Sequence, residues 1–270
     1  MGAEHFRYAV TRDPAAAASA EHFLDGMRLL HNISAVRGLY ARSACAPSDE
    51  DCAPARGTLR RSCDAVVTPG CCDSPGQRAC GVQWRNSSVA AFDGWVWKSD
   101  TSSDESCGHF FAFAIAAELA PTARDRLAAA ETVSDMVDYM LANDYALKDW
   151  TGYSTSWGRW APQFVNHWRP FSDERALQSL QMLAFINAAL HVSAALPDDE
   201  ARATRRARWK RAYAELTNST NQYAENMLNT KIEAPIDDNY SDDGLEFLTY
   251  YTFLTSTTDE SIRAPALASL

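Results

Sequence analysis

Three short acidic runs, Ser103-Asp104-Glu105, Ser172-Asp173-Glu174 and Ser241-Asp242-Asp243, stand 69 residues apart, each just before an apolar stretch. Paired carboxyl groups of this kind suit general acid–base work, one protonated and donating, the other ionised as base or nucleophile. For cleavage of a bond between two sugars, Asp104 or Glu105 is the candidate acid and Asp242, with Asp243 beside it, the candidate base. His109 follows the first pair at the spacing that shares a helix face with Glu105, where it would tune the acid or touch substrate. A satisfied core histidine is the alternative. Serine followed by an acidic residue is also what any helix N-terminus prefers, as a cap and as a charge set against the helix dipole. Both readings stay open.

Aromatic residues supply the second chemical signal. Seven of the eight tryptophans (Trp84, Trp95, Trp97, Trp150, Trp157, Trp160 and Trp168) fall between residues 84 and 168, mostly in connections rich in Gly, Ser, Asp and Asn. A flat ring beside polar groups suits a sugar, whose axial C–H bonds pack on the face while its hydroxyls bond outward. Trp97, Trp157 and Trp160 are the candidate contacts, with Asp100 and Asp149 as nearby carboxylates for sugar hydroxyls. The alternatives are tryptophans that pack the loops and aspartates that solvate them.

The elements that must position these groups are helices. Asp13-Pro14 reads as an N-cap with proline at the first helical position, opening a stretch with Phe23, Met27 and Leu30 on one side. A second amphipathic stretch follows Pro121-Thr122 and carries Val133, Met136, Val137, Met140 and Leu141. A third follows Pro197-Asp198, where Trp209, Tyr213, Leu216, Tyr223 and Met227 form a stripe. Between them, Phe110 to Ala117 and Leu177 to Leu190 are apolar nearly all round, the pattern of helices buried on every side. Equal spacing of the acidic starts implies a repeat of one buried and one amphipathic helix. Such hairpins can close into a two-layer ring whose inner-helix N-termini share one face.

Composition bounds the rest. With 46% apolar and 22% charged residues in 270, the chain is globular, and its net charge of −10 disfavours phosphate backbones and hence nucleic-acid partners. The longest apolar run, Phe110 to Ala117, is too short for a transmembrane segment. Six of the seven cysteines (Cys45, Cys52, Cys63, Cys71, Cys72 and Cys80) lie within 36 residues without a CxxC pair or a histidine, which argues for disulfides over zinc and for an oxidising, extracellular or secretory setting. Four sequons, at Asn32, Asn86, Asn218 and Asn239, point the same way. Asp237 to Gly244 imitates a calcium loop, but Asp242 sits where glycine is needed and Leu248 where a bidentate glutamate belongs, so an EF-hand is rejected and no metal is expected, a calcium site of another kind being the lesser alternative. Six cations between Arg202 and Arg211 read as a solvated helix face. No cofactor-binding motif is present in the sequence.

Residues Trp97 to Phe110, running Trp-Lys-Ser-Asp-Thr-Ser-Ser-Asp-Glu-Ser-Cys-Gly-His-Phe, resemble the signature of a little-characterised family of the six-hairpin glycosidase type. So do Trp157-Gly158-Arg159-Trp160-Ala161-Pro162 with Asn166, Glu174-Arg175 with Ser179-Leu180-Gln181, Arg37-Gly38-Leu39, Ala41-Arg42-Ser43, and Asp242-Asp243. This chain has Asp173-Glu174-Arg175-Ala176 and Gln178 where the family runs Glu-Arg-Gly-Leu-Asn. The resemblance implies an all-α (α/α)6 toroid, adds Asn166 and Arg175 as groove contacts, and carries glycosidic hydrolysis by analogy. A non-catalytic sugar-binding or scaffold protein is the competing expectation. A polysaccharide lyase drawing on His109, Tyr153 and Arg159 is the third. The expected organisation is one toroid domain over 1–270, with a disulfide-stapled cysteine-rich insertion at 44–82. At 69 residues a hairpin, six hairpins need about 414 residues, so a chain of 270 is expected to form only part of the ring, partnered by the remainder.

Overall fold

The computed structural model describes residues 1–49, 84–150, 152–168, 174–228 and 240–270. Among these the chain is mostly helical, 65% in ten helices, with two small antiparallel sheets. It divides into two units, one of Met1–Leu24, Cys107–Asp138 and Trp160–Leu270, the other of Asp25–Ser106 and Tyr139–Arg159. Most of the cysteine-rich insertion, Ser172-Asp173 of the second acidic run and the sequon at Asn239 lie outside the described residues.

In the first unit local chemistry sets the helix ends. The N-terminal helix α1 (Gly2–Thr11) stops where Arg12 turns left-handed at φ 56° and gives its N–H to the Tyr8 carbonyl. Asp13 then caps α2 (Pro14–Asn32), its Oδ1 accepting the Ala15 N–H at 2.9 Å. α3 (Ser103–Leu119) is followed by α4 (Ala123–Ala142), opened by Thr122, whose Oγ1 accepts the Asp125 N–H at 3.1 Å and donates to the Asp125 carboxylate at 2.6 Å. A single turn, α5 (Pro162–Val165), precedes α6 (Arg175–Val192). Asp199 caps α7 (Glu200–Leu216), and α8 (Tyr223–Asn226), α9 (Tyr240–Ser256) and α10 (Glu260–Ser269) complete the unit.

The core of this unit forms around α6, which is buried continuously from Ala176 to Ala189. Phe110 of α3 stacks on Phe185 of α6 with centroids 3.9 Å apart and planes at 11°, and Trp160 meets Phe185 edge-on at 5.6 Å. One polar node ties three helices: the Cys107 Sγ of α3 accepts from Gln181 Nε2 of α6 and from Thr249 Oγ1 of α9, each at 3.2 Å. Trp160 Nε1 donates to Gln181 Oε1 at 2.7 Å, so that amide is satisfied on both sides. The amphipathic helices α4 and α7 are joined by Arg205, which pairs with Asp135 and Asp138, and by Trp209 Nε1, which donates to Asp138 at 2.7 Å.

The expected helices form, with three corrections. The buried row of α2 is Ala16, Ala20 and Leu24, while Phe23 is 48% exposed. Alanine carries too little apolar surface to stand out against the larger Phe23, Met27 and Leu30 in a periodicity count. The stripe from Trp209 to Met227 belongs to two helices, because Asn218 Oδ1 accepts the N–H groups of Thr220 and Asn221 at 2.9 Å each and draws the backbone out of the helix after Leu216. Finally, α9 is buried on one side only, with Thr249, Tyr250 and Phe253 inside while Phe247 and Tyr251 face solvent.

The second unit holds both sheets. Strand β1 (Ser43–Cys45) and strand β2 (Trp84–Asn86) flank the central β3 (Val96–Lys98), all antiparallel, with Ala44 and Arg85 each opposite Trp97. A hairpin of β4 (Ala146–Lys148) and β5 (Ser154–Arg159) carries Trp157 on β5 and Trp150 in its turn. These strands occupy connections that the sequence left without a period, since three-residue strands are too short to show one. The Leu39-Tyr40-Ala41 segment is buried and braced: the Tyr40 hydroxyl bonds Ser106 Oγ at 2.5 Å, and Thr101 Oγ1 donates to the Tyr40 carbonyl at 2.7 Å. Cys45 is buried with Val96, and Trp84 packs against them.

The packing around α6 gives a direct expectation. Phe185→Ala should lower the unfolding free energy by about 3–5 kcal/mol, whereas Phe247→Ala should stay within about 0.5 kcal/mol. Urea titrations of the two variants beside the parent measure both.

Candidate functional site

In the second unit Asp100 and Asp149 are the organising pair. Asp100, 2% exposed, takes the left-handed conformation at φ 56° at the exit of β3, which aspartate tolerates better than most residues. Its carboxylate accepts the Ser156 N–H at 2.8 Å and the Ser156 hydroxyl at 3.0 Å, tying the exit of β3 to β5. Asp149, 5% exposed, accepts the Trp150 N–H at 2.7 Å and the Asp100 N–H at 3.4 Å. Burial raises the Asp149 carboxyl above its ordinary value, the Asp100 charge adds to that, and the bonds from Trp150, Ser99 and Asp100 oppose it. Arg159, also buried, gives its Nε–H to the Thr155 carbonyl at 3.0 Å.

The β4–β5 hairpin carries three partly exposed aromatic residues. The hairpin turn closes through Asp149 N–H to the Tyr153 carbonyl and Gly152 N–H to the Asp149 carbonyl, each at 2.8 Å, with Gly152 at φ 82°. Trp150, Tyr153 and Trp157 are 42%, 50% and 41% exposed. The Arg85 guanidinium lies 4.1 Å from the Trp150 ring centroid and 5.5 Å from that of Trp97, so the cation is held between two indoles. Trp97 itself is buried and packs this stack from inside.

The carboxylates singled out for acid–base work divide between the units. In the second unit, Glu105 completes a capping box: its Oε2 accepts the Ser102 N–H and hydroxyl at 2.7 Å each, and Ser102 Oγ accepts the Asp104 N–H at 3.2 Å. Its other oxygen pairs with Arg42 Nε at 3.0 Å, while Arg42 NH1 donates to the Asp100 carbonyl at 3.3 Å. Asp104 is exposed in the same turn. In the first unit, Asp242 and Asp243 lie in the first turn of α9, half-buried and exposed respectively. His109, also in the first unit, is buried beside Phe113, and burial pushes its imidazole down to about 3, so it is neutral at pH 7.

The remaining candidates of the first unit hold loops together. Trp160 is fully buried with its N–H on Gln181. Asn166 donates to the Asn221 carbonyl at 2.7 Å and accepts from Asn226 at 2.8 Å. Arg175 donates to the carbonyls of Val165 and Asn166, fixing the entry to α6. Among the described residues no three His, Cys, Asp or Glu side chains converge as a metal site, and no helix is long and apolar enough to cross a membrane. Trp150 and Arg85 were not marked as contacts from sequence. Trp150 lies in the hairpin turn and Arg85 on the three-residue β2, segments too short to show a period.

Comparison of the chain with protein-family models, curated proteins and solved structures gives no match.

Two outcomes test this reading of the side chains. Glu105→Ala should cost about 1 kcal/mol of stability through loss of the cap, and Asp104→Asn should change it by less than about 0.5 kcal/mol, both by chemical denaturation. The His109 imidazole binds its proton less tightly when folded than when unfolded. Stability from this group is therefore complete above the ordinary histidine value of 6.5 and declines as pH falls from there toward about 3, by about 1.4 kcal/mol per pH unit. His109→Gln should remove that part of the slope in unfolding measured between pH 4 and 7.

Proposed function

We propose that this chain recognises carbohydrate through the β4–β5 hairpin, as part of an (α/α) toroid of the six-hairpin glycosidase type that works in the secretory pathway or outside the cell. The observation that carries the proposal is the exposed set Trp150, Tyr153 and Trp157 on one short hairpin, held in place by the buried Asp100–Ser156 and Asp149–Trp150 bonds. Partly exposed aromatic rings on a braced hairpin match the apolar faces of pyranose rings. Support for the toroid is the alternation of buried and amphipathic helices and the meeting of α3, α6 and α9 at Cys107, as inner helices of a ring would meet. The cysteine segment and the sequons support the setting, with disulfides stapling the insertion.

Glycosidic hydrolysis is the second reading. It draws on Asp104, exposed in the first turn of α3, and separately on Asp243, exposed in the first turn of α9 with Asp242 half-buried beside it. Glu105 is a poorer candidate because its oxygens already serve the cap and Arg42.

A glycan array on the parent chain, followed by hydrolysis assays on the sugars bound, tests both readings. Trp157→Ala should weaken binding about tenfold, the loss of one stacked ring, with folding unchanged by circular dichroism. Binding that is insensitive to Trp150→Ala, Tyr153→Ala and Trp157→Ala would overturn the recognition surface. Turnover that falls in Asp104→Asn or Asp242→Asn supports hydrolysis at these residues, and binding without turnover in the parent leaves recognition alone.

A further inference from the structure

Two of the four sequons are arranged as acceptors on the folded surface. Asn86 ends β2, an edge strand of the three-stranded sheet, and is exposed, as is Ser88. Ser87 between them turns inward, its N–H bonding the Trp95 carbonyl and its hydroxyl the Ile33 carbonyl, each at 2.9 Å. Extended backbone places residues two apart on one side, so Asn86 and Ser88 face solvent together. Asn218 follows the end of α7, exposed together with Thr220. Its Oδ1 is held by the N–H groups of Thr220 and Asn221, and no hydrogen bond engages its Nδ2 among the described residues. The side-chain amide is thus turned with its oxygen toward the chain and its nitrogen available.

The sequon at Asn32 differs. Ile33 is fully buried, and Ser34 is buried with its hydroxyl donating to the Leu39 carbonyl at 2.9 Å, so turn packing accounts for these residues.

We propose that Asn86 and Asn218 carry N-linked glycans. The co-reactant is an oligosaccharide held on a lipid diphosphate, supplied by the transferase of the secretory pathway. The asparagine Nδ2 forms a bond to the anomeric carbon, the bond from that carbon to the diphosphate oxygen breaks, and the lipid diphosphate leaves with the electron pair. The amide proton passes to a base of the transferase. At Asn86 the glycan would extend from the end of β2, an outer strand of the sheet among the described residues. At Asn218 it would extend from a turn that tolerates bulk.

The proposal rests on the secretory setting, and the test separates the two. The full chain is expressed in eukaryotic cells behind a secretory leader, and the secreted protein is mapped by peptide mass spectrometry before and after peptide-N-glycosidase F. Asn86 and Asn218 should read as aspartate only after treatment, and Ser88→Ala and Thr220→Ala should each remove one gel step. Thr220→Ala keeps the backbone N–H that holds Asn218, so the turn is preserved. Unmodified asparagine at both positions in secreted protein would overturn the proposal. The setting is read separately, by counting alkylatable thiols without reductant in protein from its own cells. Oxidised cysteines with bare sequons would reject the glycans alone, whereas reduced cysteines would reject the setting.

Discussion

The first unit depends on the burial of α6. A helix apolar on every side cannot stand in water, and its burial from Ala176 to Ala189 requires neighbours all around it. The Phe110–Phe185 stack and the Trp160 edge contact fill one side, and the Cys107–Gln181–Thr249 node fixes how α3 and α9 approach. Gln181 is the informative member. A buried amide left unpaired is costly, and here both ends are paired, by Trp160 and by Cys107, from two separate segments. That requirement narrows the register of these helices more than the aliphatic contacts do, because apolar packing accepts several offsets and a buried amide accepts few.

The second unit solves a different problem. Its strands are too short to hold a hairpin by ladder bonds alone. Asp100 and Asp149 supply what the ladder lacks, each accepting backbone N–H groups from another segment. A left-handed aspartate costs some backbone strain, which its bonds to Ser156 and the Arg42 contact to its carbonyl offset. These bonds fix the backbone that carries Trp150, Tyr153 and Trp157.

The acidic helix starts show how one residue type serves two purposes. Glu105 meets the demands of a helix N-terminus, reaching back to Ser102 and across to Arg42. His109 takes the other role open to it: burial keeps it neutral, so it packs rather than moving protons near neutral pH. Asp104 and Asp243 stand exposed in the first turns of their helices, and the hydrolytic reading falls on them with Asp242.

The sequence by itself determined the helical class, the alternation of all-round apolar and amphipathic segments, and the helix start at Pro14, while the starts marked by Pro121 and Pro197 fall a few residues later, at Ala123 and Glu200. These are local properties, fixed by side-chain period and by the hydrogen-bonding of residues a turn apart. Tertiary structure alone decided which aromatic rings are buried, since Trp97 and Trp157 sit in similar polar surroundings along the chain yet only one faces water. It also decided that Asp100 and Asp149 support a hairpin, because their partners are 56 and 49 residues away in sequence. Contacts over such separations follow from how the segments close on one another, and no count of neighbouring residues carries that information.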